Sequence, residues 1–171
     1  LKGIKTLDKD VHLCVSTNGL ALPQHVNQLS ALGVHHLTIT INTLSPEVAQ
    51  YLYPWIYFNN QRYKGLEAAE ILIEQQLKGL TLAANSGILV KVNTVLVPGI
   101  NDGSLTSLAQ EIQTRGALLH NIMPLISDPS HGTYFGVNHV QGPTEVQIAA
   151  ARKIAGNNMP QMSHCKQCRA D

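Results

Sequence analysis

The sequence predicts an α/β chain of about four βα units set side by side as part of a barrel. Two observations carry this. Alternating apolar and polar residues recur near positions 11, 37, 88 and 117, and a helical pattern follows each. Such alternation implies parallel strands joined by right-handed crossovers. Three of the four strands also carry a polar row on one face: His12, Cys14 and Ser16; Thr38, Thr40 and Asn42; Lys91 and Asn93. A doubly wound sheet buries both faces and has no use for these rows, because buried polar groups need partners. A partial barrel with a binding site inside does. Its chemistry would sit at the C-terminal strand ends, where Asn18, Asn42, Pro98-Gly99 and Asn121 fall.

Residues 11–16 alternate strictly, with Val11, Leu13 and Val15 on one side, and Thr17-Asn18-Gly19 ends the strand in a turn. A helix follows, with Pro23 in its first turn, Val26, Leu29 and Leu32 at helical spacing, and Gly33 as its stop. The second strand covers 37–42. Ser45-Pro46-Glu47 then has helix-start chemistry: a Ser cap, Pro at the first position and an acid in the first turn. Six of the eight aromatics fall between Tyr51 and Tyr63. That stretch reads as a satellite hydrophobic cluster under a long connection, or as a lid or docking surface, since aromatics are enriched in both. The longest helix is expected over about 62–84, with Leu66, Ala69, Ile73, Leu77, Leu80 and Ala84 as its apolar stripe. A β-branched strand spans 88–97, a helix marked by Leu105, Leu108 and Ile112 ends at Gly116, and a last strand covers about 117–122. Residues 124–143 read as loop, and a final helix over roughly 144–155 leads into the tail.

The chain has 171 residues, a single domain's worth, long enough to bury a core. Twelve Lys and Arg stand against eleven Asp and Glu, so there is no electrostatic footprint for nucleic acid or an anionic membrane. No apolar run reaches spanning length and no signal peptide opens the chain. Three cysteines in a loop-poor α/β pattern suit a reducing cytoplasm better than a disulfide framework. The chain starts at Leu1 without Met and stops at Asp171 directly after a cysteine pair, which reads as a piece of a longer protein. No GxxxxGK[ST], GxGxxG or GxSxG occurs, which removes the common nucleotide-loop and hydrolase readings.

The tail His164-Cys165-Lys166-Gln167-Cys168-Arg169 holds the chemical signal around which the rest is organised. A CxxC serves as a redox pair, half a zinc site or part of an iron–sulfur site, and some are only packed thiols. Cys14, on the inward face beside Ser16, is the natural third sulfur, and three thiolates select iron–sulfur or zinc over magnesium or calcium. His164 is a poorer candidate, because neighbouring side chains in an extended stretch point opposite ways. His120, His131 and His139 read as structural or loop residues.

Several segments carry a family resemblance: Leu13-Cys14-Val15-Ser16-Thr17-Asn18-Gly19-Leu20, Thr38-Ile39-Thr40-Ile41-Asn42, Tyr53-Pro54-Trp55-Ile56, Lys91-Val92-Asn93-Thr94-Val95, Pro98-Gly99-Ile100-Asn101-Asp102, His120-Asn121-Ile122-Met123-Pro124-Leu125-Ile126 and His164 to Asp171. In this order they resemble the NifB family, radical S-adenosylmethionine (SAM) proteins of nitrogenase iron–molybdenum cofactor biosynthesis. The resemblance covers essentially the whole chain, and the tail and the Asn-Ile-Met-Pro-Leu segment are its specific parts. The Ser-Thr-Asn-Gly and Pro-Gly-Ile-Asn-Asp pieces alone fit radical SAM enzymes more widely.

What the resemblance implies is a lyase-type radical SAM enzyme. In that family a cluster held by CxxxCxxC cleaves SAM to a 5′-deoxyadenosyl radical. Two further 4Fe-4S clusters are fused, with a carbon from a SAM methyl group and an added sulfur, into an eight-iron core. Carried over by position, Cys14, Cys165 and Cys168 would be ligands of those accessory clusters. Ser16 and Asn18 would border SAM, with Asn42 and Asn93 on the next strands. The implied partners are iron–sulfur cluster donors and the carrier or scaffold proteins of nitrogenase assembly. No CxxxCxxC is present, nor the strand that follows it in the family, so this stretch is not expected to turn over alone. The rival readings are a radical SAM enzyme acting on a small organic substrate and a non-catalytic module with zinc or an iron–sulfur cluster held by Cys14, Cys165, Cys168 and His164.

Overall fold

The structure is a computed structural model and describes Gly3 and residues 11–162. Its main sheet is built from β1 (Leu13–Thr17), β2 (Val34–Thr40), β5 (Leu89–Leu96) and β6 (Leu119–Pro124). All neighbouring strands are parallel and their spatial order follows the chain, β1-β2-β5-β6. A doubly wound sheet reverses direction at a switch point, which puts helices on both faces. Here every crossover among the described residues steps the same way, and with right-handed connections that places their crossover helices on one face. The winding is that of a partial barrel, as the sequence predicts.

The helices are α1 (Leu22–Ala31), α2 (Pro46–Leu52), α3 (Gly65–Asn85), α4 (Leu105–Thr114), a short α5 (Tyr134–Val137) and α6 (Glu145–Gly156). Leu37, Ile39 and Ile41 of the β2 segment, Val90, Val92 and Leu96 of β5 and Ile122 of β6 form the covered sheet face. They pack with Leu22 and Val26 of α1, Leu80 and Ala83 of α3, Leu105, Leu108 and Ile112 of α4, and Ile148 and Ala151 of α6. Burial of each of the larger side chains is worth about 1.5–3 kcal/mol, so this layer fixes the register of the sheet and, with it, the opposite face. Local chemistry starts two helices as expected. The Ser45 hydroxyl accepts from Val48 N–H, and Thr144 and Gln147 form a reciprocal capping box at α6.

Residues 124–143, read as loop, hold the short α5, which the Thr133 hydroxyl caps by accepting from Gly136 N–H, and β2 starts at Val34 rather than 37. Four further details differ from the sequence reading. The aromatic stretch is not a plain connection but holds an antiparallel hairpin, β3 (Trp55–Phe58) with β4 (Gln61–Lys64). Its two-residue loop puts Asn59 and Asn60 at φ 48° and 62°. Positive φ at both central residues gives the twist that flanking strands need, and Asn tolerates it. Second, because Arg62 and Lys64 belong to β4, α3 begins at Gly65 rather than Arg62. Third, the buried side of α3 is rotated: Ala68, Ala69, Leu72, Ile73, Gln76, Gly79, Leu80 and Ala83 are inside, while Leu66 is exposed. The helix is covered by α1 on one flank and by α2 and the hairpin on the other, so small residues line its inner surface. A Cβ placed on Gly79 would lie 2.9 Å from three side-chain atoms of Leu22. Fourth, β6 runs to Pro124, which puts Asn121 inside the strand rather than at its end.

Residues Pro160 to Met162 run beside β6. His120 N–H donates to the Pro160 carbonyl at 3.0 Å, and Met162 N–H donates to the His120 carbonyl at 3.0 Å. The bridge between His120 and Gln161 is parallel, so the described chain ends heading toward the C-terminal edge of the sheet. Cys165, Cys168 and His164 lie outside the described residues.

Candidate functional site

Register assigns the residues of the face opposite the helices just described. Cys14 lies opposite His36, Ser16 opposite Thr38, Thr38 opposite Lys91, Thr40 opposite Asn93, and Asn93 opposite Asn121. In a parallel pair such partners point to the same side, so these form one polar band across four strands. Cys14 and Ser16 on the edge strand β1 are exposed, whereas Thr38, Asn93 and Asn121 are buried. The Asn121 amide donates to Asn93 Oδ1 at 3.2 Å. The face expected to be a barrel interior is therefore polar, open at β1 and closed toward β6.

At the C-terminal edge, three neutral amide side chains tie the strand ends together. Gln76, reaching up from α3, donates from Nε2 to the Asn18 carbonyl at 2.8 Å and the Thr40 carbonyl at 2.9 Å. Asn42 donates to the Tyr53 hydroxyl at 2.7 Å and accepts from Val95 N–H at 2.9 Å. Asn101 accepts from Val97 N–H at 2.8 Å and donates to the carbonyls of Asn42 and Val95, each at 2.9 Å. Burial pushes the Tyr53 phenol well above its ordinary range, against the opposing effect of the Asn42 bond, so it remains a neutral hydroxyl.

On the covered face, Thr94 Oγ1 lies 2.6 Å from the Ile41 carbonyl and 2.9 Å from His120 Nε2. A hydroxyl has one proton. Given to the carbonyl, it leaves Thr94 as acceptor, so His120 carries its proton on Nε2 and leaves Nδ1 bare. Nδ1 has no partner among the described residues, and burial lowers the imidazole to about 4. His120 is thus a neutral structural histidine, as expected.

The sequence candidates divide. Cys14, Ser16 and Asn93 share the polar face, the first two exposed and Asn93 buried, and Asn18 sits at the turn after β1 with its Oδ1 accepting from Leu20 N–H at 3.1 Å. Asn42 differs: its side chain is engaged in holding Tyr53 and β5. Gln76 and Asn101 are not among the sequence candidates. Gln76 does leave a signal, as a polar residue at i+4 from Leu72 and i−4 from Leu80 on an apolar stripe. A cavity of about 370 Å³ lies at the end of β5 against α6, lined by Leu96, Pro98, Leu105, Ala151 and Ile154 among others. None of the site residues lines it.

The donor set bears on what could be held here. Hydroxyls and amides along the open face suit a polar, hydrogen-bonding ligand such as SAM. Among the described residues Cys14 is the one thiol, and no three metal-binding side chains converge. The described part thus offers a cluster one soft ligand, with Cys165 and Cys168 the remaining thiols of the sequence.

Comparison with known proteins agrees with these features. The radical SAM superfamily profile matches residues 1–112. A FeMo cofactor biosynthesis protein NifB of Herbaspirillum seropedicae is 51% identical over 162 residues, covering 95% of this chain and 31% of that protein. NifB of Klebsiella pneumoniae is 50% identical over 95% of this chain and 35% of its own length. The FeMo cofactor biosynthesis protein FixZ of Rhizobium leguminosarum is 46% identical over 99% of this chain and 37% of its own. The chain spans about a third of the length of these relatives. A radical SAM methyltransferase structure, TsrM of Kitasatospora setae, aligns over 72% of this chain and 23% of its own at 16% identity, with a TM-score of 0.47. With its parallel sheet wound in one direction and its profile match through α4, this chain belongs to the radical SAM superfamily and is similar to its NifB proteins.

Proposed function

We propose that this chain is part of an enzyme that builds the nitrogenase iron–molybdenum cofactor, by SAM-dependent fusion of two 4Fe-4S clusters into a carbide-containing eight-iron core. The observation that carries it is the identity of about half the residues, across 95% of the chain, with proteins named for that biosynthesis. The open polar face supports it. Ser16 and Asn18, with Asn93 on β5, border the SAM position, and Cys14, Cys165 and Cys168 hold the substrate clusters. Asn42 acts at one remove, since its amide holds Tyr53 and the β5 backbone. When bound, SAM supplies the radical chemistry and the carbon; the chain's own groups bind and orient. Partners would be cluster donors and cofactor carriers in the cytoplasm. Among the described residues no helix is long and apolar enough to cross a membrane.

The test uses the full-length gene product, reconstituted anaerobically with iron and sulfide. It should turn brown, cleave SAM and yield material that activates cofactor-deficient nitrogenase. Colourless protein with one zinc per chain would sink the proposal, and SAM cleavage without activation would favour an organic substrate. Cys14→Ala should lower bound iron while SAM cleavage persists; unchanged iron would return Cys14 to an ordinary thiol.

A further inference from the structure

We propose that Gln76 is a positioning residue for the SAM-bordering edge of the sheet, an inference that rests on the function proposed above. Gln76 is 1% exposed and lies mid-helix in α3, 58 residues from Asn18 in sequence. Both hydrogen bonds from its Nε2 go to carbonyls at the C-terminal edge, one after β1 and one on the last residue of β2. It therefore sets the distance between the two strand ends that carry Ser16, Asn18 and Thr40.

The turn it holds is fitted against it. Gly19 has φ +85°, and a Cβ there would come within 2.8 Å of Gln76 Cγ and 3.1 Å of Ile39 Cγ2. Within the turn, Thr17 Oγ1 accepts from Gly19 N–H and Asn18 Oδ1 accepts from Leu20 N–H. The Asn18 carbonyl points down to Gln76 while the outer face of the turn stays exposed. An amide is suited to this post: it supplies two donors to two carbonyls without burying a charge.

Gln76→Met keeps the length and loses both donors. Gln76→Glu keeps the shape and replaces the donors with an acceptor. In the reconstituted full-length protein, measured by anaerobic calorimetry with SAM, both should raise the SAM Kd by roughly tenfold, the scale of about one lost hydrogen bond. Gln76→Glu should recover part of the loss on acidification, when its protonated form regains one donor; Gln76→Met should show no such pH dependence. Amide exchange at Gly19 and Leu20 should quicken in both. The control is Ile112→Ala, on the buried face of α4, which should lower stability and leave the Kd unchanged. Faster exchange with an unaltered Kd would overturn the inference and leave the function standing. A Kd loss equal to that of Ile112→Ala at matched stability would also overturn it. If wild-type protein bound no SAM, both proposals would fall.

Discussion

Asn101 offers the sharpest test of how the C-terminal edge is held. Its side chain is 1% exposed and makes three bonds, to Val97 N–H, the Asn42 carbonyl and the Val95 carbonyl. Asn101→Ala leaves one backbone donor and two acceptors without these partners. An unsatisfied buried group costs about 1–3 kcal/mol. The three share one side chain and are not additive, so the expected loss is about 3–5 kcal/mol. Against a typical stability of about 5–15 kcal/mol this is large but survivable. Urea denaturation of the full-length protein reads it directly.

Asn101→Asp separates hydrogen bonding from volume. The shape is unchanged and one oxygen still accepts from Val97 N–H. The other now faces two carbonyls that expect a donor. Burial and those carbonyls both disfavour the anion, so the introduced carboxyl has a folded pKa above its unfolded value of about 3.9. The sign follows: the unfolded state releases this proton first, so the variant's deficit is full well above the folded pKa and shrinks as pH falls below it. At acid pH the neutral acid also regains one donor. Other titrating groups are common to both proteins and cancel in the difference. A variant as stable as wild type at pH 7, or a deficit that does not change between pH 7 and 5, would refute the reasoning.

Two further predictions probe the covered face. His120 binds its proton at about 4 when folded and near 6.5 when unfolded, so its stabilising contribution is intact above pH 6.5 and is lost as pH falls toward 4. Wild type should lose about 3 kcal/mol over that window from this group, at about 1.36 kcal/mol for each pH unit between the two values, and His120→Gln should flatten the dependence. An unchanged pH profile in the variant would show that His120 is not the titrating group. Gly79→Ala should destabilise the protein although Ala favours helix by about 1 kcal/mol, because its Cβ meets the Leu22 side chain at 2.9 Å. Combining it with Leu22→Ala should recover part of the loss, read as a coupling energy in thermal melts; strict additivity would mean the two residues do not clash.

The alternation in β2 shows how much is legible in the sequence. Leu37, Ile39 and Ile41 against Thr38 and Thr40 define the strand, its two faces and which of them packs under the described helices. The hairpin is hidden because Trp55, Ile56, Tyr57 and Phe58 are apolar on both sides, so no period shows. Its loop is Asn-Asn rather than the stronger Asn-Gly signal. Asn42 is legible as a polar residue at a strand end, a position that implies a ligand-facing role. Its partners, Tyr53 and Val95, are 11 and 53 residues away in sequence, and only the tertiary fold brings them to it.

The bonds Asn42 makes point to a division of labour at this edge. A ligand held by strand ends needs those ends fixed before it arrives, since ordering them on binding would cost affinity. Side-chain amides do this without charge, because one Gln or Asn can satisfy several backbone groups from adjacent strands. Gln76 joins the ends of β1 and β2, Asn101 joins the end of β2 to β5 and its loop, and Asn42 joins β5 to the root of the aromatic hairpin. The chain of bonds is continuous from the Asn18 turn to Tyr53. Cys14 lies outside it, near the start of β1 and away from the C-terminal edge. The arrangement is thus a rim of strand ends tied by neutral amides, fixed without a buried charge and so suited to orienting a small polar molecule.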